Sequence, residues 1–172
     1  MKRTILLSAL LLTAYSMALQ AKEASNTTEE APVKIAKKST KESTALKPGD
    51  TLVLSEFTKT NSGIMYKITK KGAGDKPCLG ENVVVHYTGY LLVDGKKVGF
   101  KFDSSLDRDM PFNFKLGARQ VITGWEITLA DMKIGEERIV ILPSKHAYGN
   151  RATSKIPADS SLIFEITLIK AS

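Results

Sequence analysis

Residues able to do acid–base, metal or covalent chemistry are few and widely separated in this sequence. His86 and His146 lie far apart, and the only cysteine, Cys78, neighbours neither, so no spacing typical of a zinc site is present. Gly72-Ala73-Gly74 lacks the third glycine of a dinucleotide-binding loop, and we find neither a P-loop nor a Gly-x-Ser-x-Gly nucleophile motif. The sequence therefore predicts no cofactor and no metal, and nothing in it indicates hydrolytic or redox chemistry.

Aromatic residues stand out instead, because they lie at positions that would face the inside of the fold. Any one of them is best explained as part of an ordinary hydrophobic core. A group this large around one short helix exceeds what so small a core requires, and an apolar pocket with a few polar groups is the alternative. The group comprises Tyr87, Phe102, Phe112, Phe114, Trp125 and Phe164.

The elements that must position these side chains are strands and one helix. Alternation of apolar and polar residues, or a short apolar run, predicts strands near residues 64–68, 83–88, 100–102, 112–116, 139–142 and 162–168. Helical spacing places Ile122, Trp125, Leu129 and Met132 on one face, and Gly135 would follow the end of that helix. We predict an α+β domain in which an antiparallel sheet of about five strands wraps around one short helix.

Several motifs make the sequence resemble the FKBP-type peptidyl-prolyl cis/trans isomerases, in that family's order and near its spacing. The resemblance covers about Ser62 to Lys170. The leader Asn61–Tyr66 further resembles the exported bacterial branch that includes the macrophage infectivity potentiators. The motifs are Val84–Gly89, Lys101–Ser105, Pro111–Phe114, Gln120–Trp125 and Ala147–Gly149.

The resemblance implies a fold, an activity and a set of site residues. In that family a proline ring lies on the residue matching Trp125, while the matches of Asp103, Tyr148 and the Ile122 backbone N–H supply polar groups. Asp103 also has a structural alternative, which is to brace the pocket wall through Arg108 or Tyr87. The catalytic residues are then Asp103, Tyr148, Trp125 and Tyr87, and the substrate-binding residues are Phe102, Phe112, Val121, Ile122, Ile156 and Phe164.

The sequence departs from compact family members around the expected pocket. Val98–Lys101 lengthens the segment before Phe102, which predicts a reshaped bulge at the rim. The loop Asn150–Lys155 is polar and basic, and His146 replaces an aromatic or aliphatic residue. These changes leave client preference and affinity for macrolide inhibitors open.

The N-terminal third differs in composition from the rest. Residues 1–21 have a basic start, an apolar run and small residues, which predicts a secretory signal peptide cleaved after Ala21, with Ala18 as the alternative. Residues 22–61 form a predicted polar linker, and 62–172 the isomerase domain. No later segment approaches the roughly 20 apolar residues of a membrane span. We therefore expect an exported, periplasmic protein, or alternatively a secreted or surface-associated one.

Partners follow from charge and from the resemblance. The net charge of +7 is spread along the chain without a basic, aromatic-interleaved stripe, so nucleic acid is not an expected partner. Proline-containing polypeptides are the expected clients, macrolides of the FKBP type are suggested ligands, and a monomer is expected. Two other functions remain: a non-catalytic FKBP-like chaperone or binding module, and a host-interaction factor acting through the basic linker, Lys22–Thr51.

Overall fold

One antiparallel sheet and one α-helix form the framework of the described part of the chain, with short 3-10 helices at Leu54–Glu56, Leu106–Arg108 and Ser144–His146. The computed structural model describes residues 45–172, so the predicted signal peptide and residues 22–44 of the predicted linker lie outside the described residues. The α+β class is confirmed, but the sheet has seven strands rather than about five. They are β1 (Thr58–Lys59), β2 (Met65–Lys70), β3 (Asn82–Val93), β4 (Lys97–Ser104), β5 (Phe112–Lys115), β6 (Glu137–Leu142) and β7 (Leu162–Ala171), with α1 (Thr123–Asp131).

The six strand ranges predicted from the sequence correspond to β2–β7, and the additional strand is β1, which pairing and not local alternation defines. The order is β1-β2-β6-β7-β3-β4, and β5 also pairs with β3. Strand β3 is 12 residues long, and β5 pairs with its first part while β4 pairs with its second part along the same edge. Strand β1 has only two residues, both exposed, so no hydrophobic alternation marks it.

The inner face of the sheet packs against α1. Trp125, Leu129 and Met132 are buried as the helical spacing predicted, although Ile122 precedes the first helical turn and Met132 follows the last. Gly124 permits this packing, because a Cβ there would lie 2.6 Å from Leu142 Cδ1. The inner core therefore holds the helix tightly against the strands.

A segment before β1 covers part of the outer face of the sheet. Leu46, Leu54 and Phe57 pack against a second cluster, whose buried members are Leu52, Tyr90, Val98, Ile139, Ile141 and Ile163. The Gly49 N–H donates to the Val98 carbonyl at 2.7 Å, and the Leu52 N–H donates to the Lys96 carbonyl at 2.8 Å.

This covering segment, Leu46–Phe57, changes the predicted domain boundary. The linker was expected to run to residue 61, whereas the packed fold already includes Leu46. The apolar residues of this segment follow neither helical nor strand periodicity, so the sequence alone did not predict that they are packed. They pack because the outer face of the sheet is apolar. No helix among residues 45–172 is long and apolar enough to cross a membrane.

Candidate functional site

A cavity of about 370 Å³ opens between the inner face of the sheet and the N-terminal end of α1. Every predicted site residue except Ile156 lines it. The lining residues are Tyr87, Phe102, Asp103, Phe112, Gln120, Val121, Ile122, Trp125, Tyr148 and Phe164.

Trp125 lies at the centre of the aromatic lining. Its indole is only 5% exposed, and the ring centroids of Tyr87 and Phe164 lie 4.9 and 5.3 Å away in edge-to-face arrangements. Phe112 lies at 6.0 Å, also edge-on. Edge-to-face packing stabilises aromatic clusters beyond simple burial. Here it keeps the rings of Tyr87, Phe112 and Phe164 nearly perpendicular to the Trp125 indole. The result is a cavity walled mainly by aromatic rings.

Gly89 on β3 allows two of these rings to take their places. A Cβ at this position would lie 2.6 Å from the Phe102 ring and 2.9 Å from the Phe164 ring. Both distances are well inside van der Waals contact, so any larger residue would push the rings outward. This gives a physical reason for glycine at the end of the Val84–Gly89 motif.

A bulge in β4 brings two consecutive residues to the cavity. Neighbours in a regular strand point to opposite faces, yet Phe102 and Asp103 both line the cavity. The register shifts between Gly89 and Tyr90, because Asp103 pairs with Gly89 while Lys101 pairs with Tyr90. A second shift follows before Leu92, where the longer segment predicted from the sequence lies. The irregular strand thus places an aromatic ring and a carboxylate side by side.

The Asp103 carboxylate is held by three donors. The Tyr87 hydroxyl donates to Oδ2, Arg108 Nη1 lies 2.5 Å from Oδ1, and the Ser104 N–H donates to Oδ1 at 2.9 Å. Burial alone would raise the pKa of Asp103, but the hydrogen bonds from Tyr87 and Arg108 outweigh it and lower that pKa. Asp103 is therefore ionised at neutral pH, and it has the bracing contacts predicted for it.

The two hydroxyls in the cavity are neutral at physiological pH. Burial and the hydrogen bond to Asp103 raise the pKa of Tyr87. Burial, followed by the charge of Asp103, raises the pKa of Tyr148. The Tyr87 hydroxyl is already engaged, whereas the Tyr148 side chain is 40% exposed at the cavity edge.

Two residues that line the cavity each have a donor without a partner among residues 45–172. No hydrogen bond within this part of the chain engages the Tyr148 hydroxyl, and none engages the backbone N–H of Ile122, just before α1. Free donors beside an apolar floor can donate hydrogen bonds to the carbonyl oxygens of a bound polypeptide. The site therefore combines an apolar cavity with two hydrogen-bond donors at its edge.

Two residues differ from the sequence-based expectation. Ile156 was predicted to bind substrate, but it is 4% exposed and packs in the inner core instead of lining the cavity. Gln120 lines the cavity and was not predicted as a site residue. Its Oε1 accepts the Lys115 N–H at 2.9 Å, and its place beside Val121 in the Gln120–Trp125 motif was the available signal.

Neither histidine belongs to this cavity. The His86 Nδ1 lies 3.0 Å from the Ser105 hydroxyl, on the neighbouring segment, and the His146 Nε2 lies 3.0 Å from the Ser62 carbonyl oxygen. Across residues 45–172 no group of three His, Cys, Asp or Glu side chains is placed to hold a metal ion.

A family model, curated relatives and solved structures all match this chain to the same family of proteins. Residues 74–169 match the family described as FKBP-type peptidyl-prolyl cis-trans isomerase. Human peptidyl-prolyl cis-trans isomerase FKBP4 is 41% identical over 65% of this chain, which spans only 24% of that relative. FK506-binding protein 1 from Dictyostelium discoideum is 44% identical over 62% of this chain and 96% of its own length. The crystal structure of FkpA from Escherichia coli matches with a TM-score of 0.60 and 32% identity, over 68% of this chain and 52% of that one.

Proposed function

Because this chain belongs to the FKBP-type peptidyl-prolyl cis-trans isomerase family, we propose that it accelerates rotation about X-Pro peptide bonds in exported client proteins and so assists their folding. The observation that carries the proposal is the cavity with Trp125 at its centre, into which the Ile122 N–H and the Tyr148 hydroxyl are free to donate. An apolar hollow of about 370 Å³ can hold a proline ring and the bond preceding it.

The reaction needs no nucleophile. The barrier to X-Pro rotation, roughly 20 kcal/mol, reflects amide resonance that is lost as the bond twists. A twisted amide is less dipolar than a planar one, so transfer from water to an apolar cavity favours the twisted form. Removing water from the amide carbonyl also weakens the resonance of the ground state. The aromatic walls of the cavity supply both effects.

Hydrogen bonds would hold the polypeptide in its bent form. The Ile122 N–H and the Tyr148 hydroxyl can each donate to a client carbonyl, and both are fixed at the cavity edge. The Asp103 carboxylate holds the Tyr87 ring against Trp125 and contributes a negative charge to the same wall. Each tenfold acceleration requires only about 1.4 kcal/mol of preferential binding to the twisted form.

The finer assignments rest on the sequence. The signal-like residues 1–21 and the leader Asn61–Tyr66 support an exported protein of the macrophage infectivity potentiator-like bacterial branch, acting in the periplasm or alternatively after secretion or at the surface. A monomer is proposed, because no sustained heptad pattern in residues 22–51 supports a coiled-coil dimerisation arm. FK506-type macrolides, which relatives are named for binding, are proposed as ligands of the same cavity.

An isomerisation assay tests the proposal directly. The chain beginning at Lys22 should accelerate cis-to-trans conversion of test peptides containing Leu-Pro or Phe-Pro, and an FK506-type macrolide should inhibit it. Folded protein that produces no acceleration would contradict the enzymatic function. Suppression of client aggregation that survives Tyr148→Phe and Asp103→Ala, without isomerisation, would indicate the binding module instead.

A further inference from the structure

A second, larger hollow of about 590 Å³ lies beside the aromatic cavity. Val121 and Ile122 line both, so the two hollows share a wall. The second is otherwise lined by Leu79, Gly117, Arg119, Thr123, Glu126, Ile127 and Ala147. We call it the Leu79–Ile127 groove.

The floor of this groove is preorganised by one carboxylate. Glu126 on α1 accepts the Gly117 N–H at 2.6 Å through one oxygen and the Arg119 N–H at 3.0 Å through the other. Gly117 has a φ of 85°, a conformation that disfavours side chains. The turn between β5 and α1 is thus tied to the helix, and a ligand would bind to it without first ordering it.

Two apolar side chains form the groove walls while remaining open to solvent. Leu79 is 78% exposed and lies over Gly117, since a Cβ there would be 3.2 Å from Leu79 Cδ2. Ile127 on the solvent side of α1 is 39% exposed. Exposed apolar side chains converging on a shaped hollow mark an interaction surface more than isolated ones do.

The free Ile122 N–H connects the groove to the proline site. A client carbonyl that accepts this N–H brings the client backbone to the wall shared by both hollows. One extended residue advances the chain by about 3.3 Å, so the residues flanking the proline within a few positions reach the groove. The occupant is therefore a continuation of the same polypeptide.

We propose that the Leu79–Ile127 groove is a specificity subsite that binds an apolar side chain of the client within three residues of its proline. This inference rests on the proposed function, because the proline is taken to occupy the aromatic cavity. Arg119 adds a preference for an acidic client residue beside the apolar one. None of the ion pairs within residues 45–172 includes Arg119, whereas both oxygens of Glu126 are occupied by backbone donors.

The test is a leucine scan in proline peptides. One leucine is placed in turn at each of the three positions before and after a central Ala-Pro unit, with serine elsewhere, and the Kd of each peptide is measured by NMR titration. For the wild-type chain one flanking position should tighten binding by about tenfold, which is the scale expected for burying a leucine. No gain at any position would overturn the inference.

Variants then locate the gain. In Ile127→Lys the ratio of Kd between the best leucine peptide and its serine counterpart should fall close to one, and Leu79→Ser provides a second variant at a more exposed position. Val93→Lys, at an exposed apolar position in the β3–β4 hairpin, is the matched control and should keep the full ratio. A ratio that persists in both groove variants would place the leucine elsewhere and reject the subsite.

Two further measurements test the inference independently: the effect of the Arg119 charge on binding, and kcat/KM for the same peptides. In Arg119→Gln the advantage of an aspartate next to the leucine should disappear, as it should at high salt in the wild-type chain. Measuring kcat/KM for the same peptides separates the two proposals. Binding with a leucine gain but without isomerisation would reject the proposed enzymatic function and leave the subsite standing. Isomerisation without any leucine gain would reject the subsite and leave the proposed enzymatic function standing.

Discussion

The inner and outer faces of the same sheet both carry apolar clusters, but they are completed differently. On the inner face the helix α1 covers one part, and the aromatic residues around Trp125 leave a cavity open. On the outer face the segment Leu46–Phe57 of the same chain packs over the aliphatic cluster. The comparison indicates that the inner face keeps an aromatic cavity because no segment of residues 45–172 packs over the rings around Trp125.

The carboxylates of Asp103 and Glu165 also differ between the inner and outer faces of the sheet. Asp103 on the inner side is paired with Arg108, and its pKa is lowered because hydrogen bonds outweigh burial. Glu165 on the outer side accepts the Leu46 N–H at 2.9 Å and lies 3.3 Å from the Tyr90 hydroxyl, but burial dominates and raises its pKa. One carboxylate serves the open site, and the other fastens the covering segment.

The largest expected effect is that of Trp125→Ala. Removing the indole opens the cavity floor, so kcat/KM for a test peptide should fall by about 100-fold or more, equivalent to about 3 kcal/mol of transition-state binding. The free energy of unfolding should also fall by about 3–5 kcal/mol, as for other buried aromatic residues. Activity is measured at a temperature where circular dichroism shows the variant to be folded.

Its control is Ile163→Ala on the outer face, where the side chain is fully buried. The free energy of unfolding should fall by about 2–5 kcal/mol, while kcat/KM of the folded fraction stays near the wild-type value. Equal loss of activity in the two variants would mean that the faces are not functionally separate.

The covering segment should matter for stability and not for catalysis. Leu52 is 8% exposed within the outer cluster, so Leu52→Ala should lower the free energy of unfolding in urea by about 2 kcal/mol. The value is at the low end because the segment lies at the surface and can adjust. An unchanged unfolding midpoint would show that Leu46–Phe57 adds little to the fold.

Asp103→Asn tests the carboxylate of the open site. Loss of the charge weakens the contacts with Tyr87 and Arg108, so kcat/KM should drop by about tenfold, as expected for one charge-assisted hydrogen bond. Stability should change little, because the Asp103 and Arg108 side chains are 39% and 44% exposed and their pair is screened by water. Glu165→Gln, the outer counterpart, should leave kcat/KM unchanged.

The smallest effect is an opposite dependence of stability on pH for the two carboxylates. The folded-state pKa of Asp103 lies below its ordinary value of about 4, so its contribution is present above that value and lost as pH falls through the folded pKa. The folded-state pKa of Glu165 lies above its ordinary value of about 4.3, so its contribution grows as pH falls through the folded pKa and is complete below the ordinary value.

Urea unfolding of the wild type and the two variants from pH 3 to pH 8 measures these slopes. Relative to the wild type, Asp103→Asn should lose stability less steeply under acidic conditions. Glu165→Gln should lack the gain that acidification gives the wild type. The difference for Asp103 should be small, because water screens its partly exposed pair with Arg108. Slopes of the same sign for both sites would contradict the assigned environments.

Local patterns in the sequence were enough for the class of fold, and the resemblance to the FKBP-type family named most residues of the cavity. The alternation in β2, β3, β4, β5 and β7, the apolar run in β6 and the helical spacing in α1 depend on neighbouring residues, so they can be recognised without tertiary information. The ordered motifs brought Tyr87, Asp103, Trp125 and Tyr148 together correctly. These are the features that side-chain periodicity and motif order determine.

The tertiary structure alone decided the rest, because those features depend on partners distant in the sequence. Whether Leu46–Phe57 is a linker or a cover depends on the apolar outer face, and whether Ile156 lines the cavity or packs beneath it depends on the inner core. The two-residue strand β1 exists only through its pairing with β2. The Leu79–Ile127 groove likewise depends on the hydrogen bonds by which Glu126 on α1 holds the turn at Gly117–Arg119. No local sequence pattern predicts these hydrogen bonds.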